Sequence, residues 1–572
     1  MVTNQEIAEI LYQIANILEM KNIAFKPQAY RRAAQSIETY SASMDDLSKE
    51  GKLQEVPGVG KGISEHIQEI LENHGKSPYL DQLKKSIPVN IDELFRVEGL
   101  GPKRVMMLYQ KLKITNLKTL ESACKDNKIA ILPGFGKQSQ DKILLGITFA
   151  KHAGDRMLLS HALAQADSLI HELKKNSGIS KIAYAGSLRR KKETVGDIDI
   201  LVTTKNPKEI MEGFLKNSQI KRVIATGPTK STVVFSSGIR CDLRVLQPDQ
   251  WGSALLYFTG SKNHNIALRK IAIYKGLKLS EYGLFKGKKI LAGKTESEIY
   301  SKLGLPYIEP EIREDEGEIQ QALSKKLPML ISRTDLQGDL HVHSNWSDGS
   351  APISEMARAA QQAGLSYFCL TDHTGVLKIA GGLSPAQFEK QAEEIKKIQK
   401  QFKDITILHG CELNIRQDGT PDLPSSTLKK LDIVVASIHH GLSQPRAKAT
   451  QRTIAAIENP HIDIIGHPTG RLISRREGYE LDFDAVFEAC KKHDKALEVD
   501  SIPERTDLTA TTIRSAVENE VKISISSDSH APDHFRFLEY GIFNARRGWC
   551  QKKDVINTWP MEKLREWAKK HG

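Results

Sequence analysis

The sequence has few cysteines and no long apolar run. Six cysteines are scattered through 572 residues without any Cys-x-x-Cys pair, so neither a zinc ribbon nor a disulfide framework is indicated. No stretch approaches the roughly 18 uninterrupted apolar residues of a membrane span. Residues 1–19 lack the basic start and the apolar run of an export signal. These absences predict a cytoplasmic protein with no membrane partner.

Acidic residues are scarce in the middle of the chain. Residues 101–300 contain 35 Lys and Arg against 16 Asp and Glu, a net charge of +19, whereas residues 301–572 contain 36 against 39, a net charge of −3. A basic middle and a nearly neutral end indicate that one part binds a polyanion while the other does different work. Composition alone leaves open a basic surface that merely keeps the protein soluble.

The chain is too long for one core, so several folding units are expected. Apolar residues recur at helical spacing in residues 1–150, and short β-rich runs separated by helices and glycine turns follow from Ile179. After Thr334, apolar runs that end in His, Asp or Glu alternate with helices. This pattern predicts a helical region, an α/β catalytic core, and a β/α barrel whose site lies at the C-terminal ends of its strands.

Three Gly-x-Gly turns lie in the helical region, each with a lysine just after it. Backbone N–H groups at a tight turn and a helix N-terminus favour a phosphate oxygen, so these turns are predicted to hold a nucleic-acid backbone without reading bases. One such turn could be an ordinary helix connection, but three favour helix-hairpin-helix units. The predicted DNA contacts in the first two turns are Gly58, Gly60, Lys61, Gly99, Gly101 and Lys103, and the third turn is Gly134-Phe135-Gly136-Lys137.

A pair of carboxylates follows a Gly-Ser-Leu-Arg-Arg motif at residues 186–190. Asp197 and Asp199 are two residues apart, so on a strand both point to the same face. Such a pair can share Mg²⁺ ions, which phosphoryl transfer needs to bind a triphosphate and to lower the pKa of the attacking hydroxyl. Asp242 is predicted as a third catalytic carboxylate on a neighbouring strand, with Ser187 and Arg190 holding phosphate oxygens. The alternative is an acidic pair on a solvated strand edge.

Residues 257–265 read Tyr-Phe-Thr-Gly-Ser-Lys-Asn-His-Asn and are followed by Arg269. With the two preceding motifs, they resemble the nucleotidyltransferase core of family X DNA polymerases, the family of polymerase beta, over about residues 1–317. The resemblance implies a nucleotide site that includes Gly260, with Tyr257 and Phe258 under the sugar, where they disfavour ribose. It also implies that Asn265 and Arg269 touch minor-groove edges. The implied partners are gapped or primer-template DNA and dNTPs, and the implied role is short-gap filling in DNA repair, including base excision repair.

One position departs from polymerase beta. There, the helix after the first Gly-x-Gly turn carries a lysine that forms a Schiff base with a deoxyribose-phosphate remnant, and the matching residue here is His66. Imidazole is a poor Schiff-base nucleophile, so lyase activity is not expected by that route. Tyr30, Arg31 and Lys61 are still candidates to hold a 5′-phosphate, with solvated helix charges as the alternative.

Imidazole and carboxylate side chains are concentrated after residue 340, several of them directly after apolar runs. Such groups suit two or three divalent ions, and the pattern does not choose between manganese, zinc and iron. The nine predicted metal ligands are His341, His343, Asp348, His373, Glu412, His439, His467, Asp528 and His530.

The order and spacing of these nine residues resemble the PHP domain, named for polymerase and histidinol phosphatase, which is an irregular (β/α)7 barrel with a trinuclear site. PHP domains joined to bacterial family X polymerases are associated with metal-dependent 3′-5′ exonuclease activity and with 3′-end or abasic-site processing, which the resemblance implies here. Two alternatives stay open: a barrel that only supports the polymerase, and a phosphatase tethered to a DNA-binding module. Arg471, Arg475 and Arg476 are candidates to hold substrate phosphate, against an ordinary charged loop.

The fold class expected from these motifs is multidomain, with a helical helix-hairpin-helix region, an α/β nucleotidyltransferase palm and thumb, and a C-terminal PHP barrel. A monomer is predicted. The predicted divisions are a helical domain that binds the 5′-phosphate of a gap at 1–85, a helix-hairpin-helix subdomain at 86–150, the palm at 151–245, a nucleotide-selecting subdomain at 246–317, a linker at 318–334 and the PHP domain at 335–572.

Overall fold

A computed structural model describes the protein at residues 2, 4–38, 40, 43–73, 75–95, 97, 100–153, 156–175, 178–375 and 380–571. Gly99, one of the predicted DNA contacts, lies outside the described residues. Among the helices that are described, none is long and apolar enough to cross a membrane.

Helices form the first part of the molecule. The apolar residues of the first helix, such as Ile7, Leu11 and Ile14, recur every three or four residues and are fully buried. They share one core with apolar residues from the following helices. These helices are α1 (Asn4–Met20), α2 (Lys26–Glu38), α3 (Met44–Lys49), α4 (Lys61–Glu72), α5 (Pro78–Lys85), α6 (Ile91–Leu94), α7 (Pro102–Leu112), α8 (Leu117–Lys125) and α9 (Lys137–Ala153).

A five-stranded sheet follows, with strand order β2-β4-β7-β6-β5. Strands β4 and β7 run parallel and the other neighbours antiparallel, while β1 and β3 form a separate pair. Helices α10 and α12 pack their apolar residues on the sheet. The elements are β1 (Met157–Leu158), α10 (Leu159–Lys174), β2 (Ile179–Tyr184), α11 (Gly186–Arg189), β3 (Thr194–Val195), β4 (Asp197–Thr204), α12 (Pro207–Leu215), β5 (Ile220–Thr226), β6 (Lys230–Phe235) and β7 (Arg240–Leu246).

The next subdomain combines helices with a small antiparallel sheet of order β10-β9-β8. Its elements are α13 (Trp251–Thr259), α14 (Lys262–Tyr274), β8 (Lys278–Ser280), β9 (Gly283–Lys286), β10 (Lys289–Ala292), α15 (Glu296–Lys302) and α16 (Glu318–Leu323). Helix α16 lies in the segment predicted as a linker, and its Ile319 and Ala322 share the core of this subdomain with Leu268. Buried Glu318 also bonds His264 at 2.6 Å, so this helix packs on the polymerase side of the chain.

Seven parallel strands in sequential order build the C-terminal barrel. The backbone N–H of His343 donates to the carbonyl of Ser529, just past the last strand, so the barrel is nearly closed, and the predicted fold class is confirmed. The elements are β11 (Gly338–Val342), α17 (Ile353–Gln362), β12 (Tyr367–Leu370), α18 (Pro385–Gln399), β13 (Thr406–Asn414), α19 (Ser425–Leu428), β14 (Ile433–Ser437), α20 (Arg446–Ile457), β15 (Ile464–Ile465), α21 (Phe483–His493), β16 (Ala496–Asp500), α22 (Ala510–Glu518), β17 (Lys522–Ser526), α23 (Leu538–Arg547) and α24 (Met561–Lys569).

Apolar side chains fill one end of the barrel interior. Leu340, Tyr367 and Leu408, from three neighbouring strands, form a core with Leu564 and Trp567 of α24. This packing blocks one end of the barrel, so polar side chains gather at the opposite end, where the strands finish.

Candidate active sites

The three predicted catalytic carboxylates lie on adjacent strands. Asp199 on β4 is directly opposite Asp242 on β7, and Asp197 is opposite Arg240 in the same parallel register. Because side chains two residues apart on a strand share a face, all three carboxylates lie on one side of the sheet.

Asp199 is the carboxylate most affected by its surroundings. Burial, with Asp197 and Asp242 nearby, raises its pKa to about 7. Gly186 lies against it with a φ of +62°, and a Cβ added there would come within 2.6 Å of the Asp199 carboxylate. The glycine of the Gly-Ser-Leu-Arg-Arg motif therefore lets the start of α11 approach the carboxylates.

Cationic side chains partly compensate this cluster of negative charge. An Arg240 guanidinium nitrogen lies 2.7 Å from Asp197, and the Lys230 ammonium lies 3.1 Å from Asp242. The second oxygen of Asp242 is buried and, among the described residues, has no hydrogen-bond partner. A carboxylate cluster with an unpartnered buried oxygen is a set of donors that fits divalent cations.

The predicted phosphate-holding residues flank the same turn. Ser187 lies in α11 and Arg190 directly follows that helix. Arg190 Nε donates to Glu314 at 3.0 Å, and its Nη1 donates to the Thr259 carbonyl. Arg190 therefore lies next to the carboxylate strand and is held in place by Glu314 and the Thr259 carbonyl. The sequence analysis did not predict the contact with Glu314.

The Tyr-Phe-Thr-Gly-Ser motif spans the end of α13 and the start of α14. The rings of Tyr257 and Phe258 meet edge to face, with centroids 5.1 Å apart, and Tyr257 is 37% exposed. Asn265 donates to the Tyr257 carbonyl at 2.7 Å, and Gly260 has a φ of +70°, where an added Cβ would lie 3.1 Å from Arg190 Nη1. Arg269 lies one helical turn after Asn265 on α14, so the structure brings the motif and Arg190 together.

Buried charges behind this motif were not predicted. Arg189 and Arg313 both donate to Glu296, with contacts of 2.6 Å from each. Burial opposes ionisation of Glu296, but Arg313 and Arg189 hold its pKa at about 2. The double arginine of the motif was the available signal, because Arg189 fixes α11 to the following subdomain through Glu296.

The Gly-x-Gly turns have the backbone shape that the sequence predicts. Gly58 and Gly134 have φ values of +81° and +79°. Gly60 and Gly101 are the N-caps of α4 and α7, and neither helix has a side-chain cap. A Cβ at Gly60, Gly101 or Gly136 would meet no atom of the described residues within 4 Å. The first-turn N–H groups of α4 and α7 therefore have no side-chain cap, and in α7 they begin with Lys103 because Pro102 has no N–H.

Two lysines lie next to these turns, and His66, at the position of the polymerase beta lyase lysine, contacts an aromatic ring. Lys61 is the first residue of α4 and Lys103 the second of α7, and both are exposed. His66 stacks on Tyr79 with ring centroids 4.2 Å apart and lies 3.5 Å from Glu69. The two lysines are exposed next to the turns, and His66 offers no amine for a Schiff base.

All nine predicted barrel ligands converge at the C-terminal ends of the strands. Three overlapping groups could each hold an ion: His343, Asp348, His373 and His530; His341, His343 and Asp528; and His373, Glu412 and His439. The ninth, His467, has Nε2 2.9 Å from Glu412 Oε1.

Glu412 is the centre of this arrangement. Its two oxygens lie 2.9 Å from nitrogens of His373, His439 and His467, and 3.4 Å from His341. Burial opposes ionisation, but the surrounding histidines hold the pKa of Glu412 well below its usual range. One carboxylate that contacts so many imidazoles is suited to bridge metal ions.

Buried atoms without partners test whether metal ions fit this site. Within the described part of the chain, His341 Nε2, His343 Nε2, His373 Nδ1 and Asp528 Oδ1 are buried and make no hydrogen bond of acceptable geometry, although His373 Nδ1 lies 2.9 Å from Glu412 and His343 Nε2 lies 3.1 Å from Asp528. Burial, together with His530, lowers the pKa of His343 to about 4 and so favours the neutral imidazole that a metal ligand needs, whereas nearby carboxylates raise the pKa of His373 to about 10 and that of His530 to about 9. Bound ions would satisfy these atoms, so the residues present fit a metal centre.

Outer partners orient the ligands, and the sequence analysis did not identify them. His341 Nδ1 lies 2.8 Å from Glu498, which also accepts the backbone N–H of His467. His439 Nδ1 lies 2.6 Å from Asn414, whose amide nitrogen donates to Asp422. The signal for Glu498 was a carboxylate inside the apolar run of β16, because buried carboxylates are rarely without a partner.

The three loop arginines contact protein groups. Arg471 bonds Glu193 at 2.6 Å and the Thr506 carbonyl, while Arg475 lies 3.4 Å from Glu9. Arg476 donates to the Gly470 carbonyl. Arg471 and Arg475 therefore connect the barrel to the sheet domain and to α1.

Comparison with known families matches four regions of the chain. A helix-hairpin-helix domain covers residues 2–76, a SAM-like helix-hairpin-helix tandem 91–148, the DNA polymerase beta thumb 254–314, and the PHP domain 339–501. The matches confirm the helix-hairpin-helix, polymerase beta-like and PHP features predicted from the sequence.

Relatives match the whole chain or either part of it. The DNA polymerase/3′-5′ exonuclease PolX of Bacillus subtilis (strain 168) is 37% identical over 572 residues, covering 99% of each chain. DNA polymerase lambda of Rattus norvegicus is 28% identical over 54% of this chain and 56% of its own. A probable phosphatase of Thermoanaerobacter sp. (strain X514) is 32% identical over 40% of this chain and 94% of its own. The full-length similarity shows that the chain belongs to the PolX family, in which a polymerase beta-like core and a PHP domain share one chain.

Proposed function

We propose that this protein is a DNA-directed DNA polymerase that fills short gaps during DNA repair and processes 3′ ends with its barrel. The chain binds DNA and divalent metal ions, as its family implies. The observation that carries the proposal is the coexistence of a carboxylate triad and a nine-ligand metal centre in one chain that matches PolX over its full length.

In the polymerase site, the chain supplies carboxylates and positions the substrates. Asp197, Asp199 and Asp242 would hold Mg²⁺, whose chemistry is to bind the triphosphate and to make the primer 3′-hydroxyl more acidic. Ser187 and Arg190 hold the dNTP phosphates, and Tyr257 and Phe258 lie under its sugar.

DNA binding uses both the glycine turns and the nucleotide-selecting helix. The turns at Gly58–Lys61 and residues 99–103 hold backbone phosphate without reading bases, which is supported by the uncapped starts of α4 and α7 and by the exposed Lys61 and Lys103. Asn265 and Arg269 contact the minor groove. The protein acts as a monomer on a gap, with dNTPs as its second substrate.

In the barrel, the nine ligands would hold two or three Mn²⁺, Zn²⁺ or Fe²⁺ ions, which supply an activated water and stabilise the leaving oxygen of a phosphodiester. Glu412 links the subsites and His343 stays neutral. Glu498 and Asn414 orient His341 and His439 for binding. The barrel removes or cleans 3′ ends that the polymerase cannot extend.

A second candidate is hydrolysis of a small phosphate ester by the barrel. It is favoured by the probable phosphatase whose sequence matches this part of the chain over 94% of its length. The arginine contacts favour DNA instead, because Arg471 and Arg475 connect the barrel to domains that hold DNA.

The test follows a labelled primer on a duplex with a one-nucleotide gap, in Mg²⁺ or Mn²⁺, with matched, mismatched and 3′-phosphorylated ends. We expect Asp242→Ala to stop extension and leave shortening, and His341→Ala to stop shortening and leave extension. Equal rates on all three ends in the wild type would contradict end cleaning. If His341→Ala changes neither reaction on DNA but abolishes hydrolysis of histidinol phosphate, the second candidate is correct.

A further inference from the structure

The last turn of α23 connects the barrel to the polymerase. Leu538, Ile542 and Ala545 of this helix are buried in the barrel core. Gly541 packs so closely that a Cβ there would lie 2.0 Å from Ser501 Oγ. A helix fixed in this way presents its C-terminal Arg546 and Arg547 in a defined position.

Arg547 enters the hydrogen-bond network that holds Arg190. Its Nη1 lies 3.2 Å from Glu314 Oε1 and 3.0 Å from the Arg190 carbonyl oxygen. The same Glu314 oxygen accepts from Arg190 Nε at 3.0 Å, and Lys192 lies 3.7 Å away. Arg547 therefore contacts Arg190 both through its backbone and through the carboxylate that orients its side chain.

The network is buried and carries excess positive charge. The side chains of Arg190, Arg547 and Glu314 are 12%, 12% and 13% exposed. Burial opposes ionisation of Glu314, but Arg190, Arg547 and Lys192 lower its pKa, so it is charged at neutral pH. Three cations surround one carboxylate, and this imbalance favours an anion such as a triphosphate nearby.

We propose that Arg547 of the PHP domain is a positioning residue for the polymerase reaction, because it fixes Glu314 and the backbone of Arg190 and so orients Arg190 for the dNTP triphosphate. This inference rests on the proposed role of Arg190 in binding phosphate. Orienting an arginine before the substrate arrives avoids the cost of ordering it during binding. The affinity of the polymerase for dNTP therefore depends on a docked barrel.

The test compares Arg547→Met with Arg546→Met in the full chain. Arg546 is the adjacent residue at the same domain boundary, but it contacts Glu311 at 2.8 Å and the Ile331 carbonyl at 2.9 Å. Steady-state gap filling with Mg²⁺ gives kcat and the KM for dNTP. We expect Arg547→Met to raise the dNTP KM about tenfold, an effect comparable to that of one charged hydrogen bond, and to leave the KM for gapped DNA unchanged. Arg546→Met should change the dNTP KM less than about twofold.

A double variant distinguishes a positioning role from a general effect. If Arg547 acts through Arg190, Arg190→Ala/Arg547→Met has the same dNTP KM as Arg190→Ala. Additive effects, or equal effects of Arg546→Met and Arg547→Met, would overturn the inference. If Arg190→Ala leaves the dNTP KM unchanged while the wild type fills gaps, the assigned role of Arg190 is wrong instead.

Thermal unfolding shows whether Arg547→Met is folded. Glu314→Gln provides a second test that does not depend on the folding of Arg547→Met. Glutamine keeps the shape of the side chain but loses the charge that pairs with both arginines. A raised dNTP KM supports the inference, and an unchanged KM overturns it.

Discussion

The two candidate metal sites differ in number of ligands, in ligand type and in burial. The polymerase site has three carboxylates on an open sheet, with Asp197 36% exposed and cations already paired with two of the three. The barrel site has nine predicted ligands, most of them imidazoles, and His341 and His343 are fully buried. A sparse carboxylate set relies on substrate phosphates to complete the coordination of Mg²⁺, whereas a dense imidazole set binds ions without substrate.

This difference predicts that metal removal affects the two sites unequally. Dialysis against EDTA should stop both reactions, and Mg²⁺ alone should restore extension but not shortening. Loss of tightly bound ions should lower the Tm of the barrel by about 5–10 °C, which differential scanning calorimetry measures. Asp242→Ala should show the same drop in Tm when its metal ions are removed, because the substitution leaves the barrel ligands intact. Restoration of both reactions by Mg²⁺, with no change in Tm, would show that the two sites hold metal equally loosely.

The role of Glu412 as a bridge predicts a large, local effect. Glu412→Gln keeps the shape but loses the charge that contacts four or more histidines, so bound metal should fall by at least one ion per chain. Shortening should slow more than about 100-fold, beyond the usual effect of an outer partner. Elemental analysis counts the ions, and primer extension by the same protein should stay within about twofold of wild type.

Glu389→Gln is the matched control, because Glu389 forms an exposed ion pair with Lys430 on the same domain. Both reactions should be unchanged in this variant. A Glu412→Gln protein that retains its metal and its shortening activity would contradict the bridging role.

The polymerase site should be sensitive to space rather than to ligand number. Gly186→Ala places a methyl group within 2.6 Å of the Asp199 carboxylate, at a φ of +62°. The carboxylate must move, so we expect extension to slow roughly 10- to 100-fold while shortening is unchanged. Gly213→Ala in α12, where nothing lies within 4 Å, should be active and slightly more stable. Equal extension rates in the two variants would show that Asp199 tolerates displacement.

The residues that sequence analysis could predict share a local signal. Asp197 and Asp199 are two positions apart on a strand, and the barrel ligands follow apolar runs, so short-range patterns indicate both sites. The Glu314 and Arg547 contact joins residues 233 positions apart, and neither residue lies in a recognisable motif. Such pairs depend on how domains dock, which periodicity does not encode.

The loop arginines show that a local sequence pattern can also indicate a role without identifying the partner. Arg471, Arg475 and Arg476 fit the composition of a phosphate site, yet Arg471 bonds Glu193, which is 278 positions away. A cluster of arginines predicts a negative partner but not whether that partner is substrate or another domain. The structure supplies the missing information through the docking of the barrel on the sheet domain.

The smallest expected effect concerns the orientation of a single barrel ligand. His439 lies 2.9 Å from Glu412 and is held on its other nitrogen by Asn414, which in turn bonds Thr374 and Asp422. Asn414→Ala removes the partner of His439 Nδ1, so the ring is no longer fixed in orientation. Metal affinity and the rate of shortening should therefore fall about tenfold, the smaller of the effects usual for an outer partner, and extension should be unchanged.

Asn519→Ala is the control, because Asn519 makes an exposed side-chain contact to a helix carbonyl in the same domain. Isothermal titration of the stripped proteins with Mn²⁺ measures the affinities. If Asn414→Ala binds Mn²⁺ as the control does, the nine ligands alone fix the site, and dense coordination makes outer orientation unnecessary. A tenfold loss of Mn²⁺ affinity would instead show that even a crowded, buried site depends on the partners that orient its ligands. The contrast with the partly exposed carboxylate site would then lie in burial as much as in ligand number.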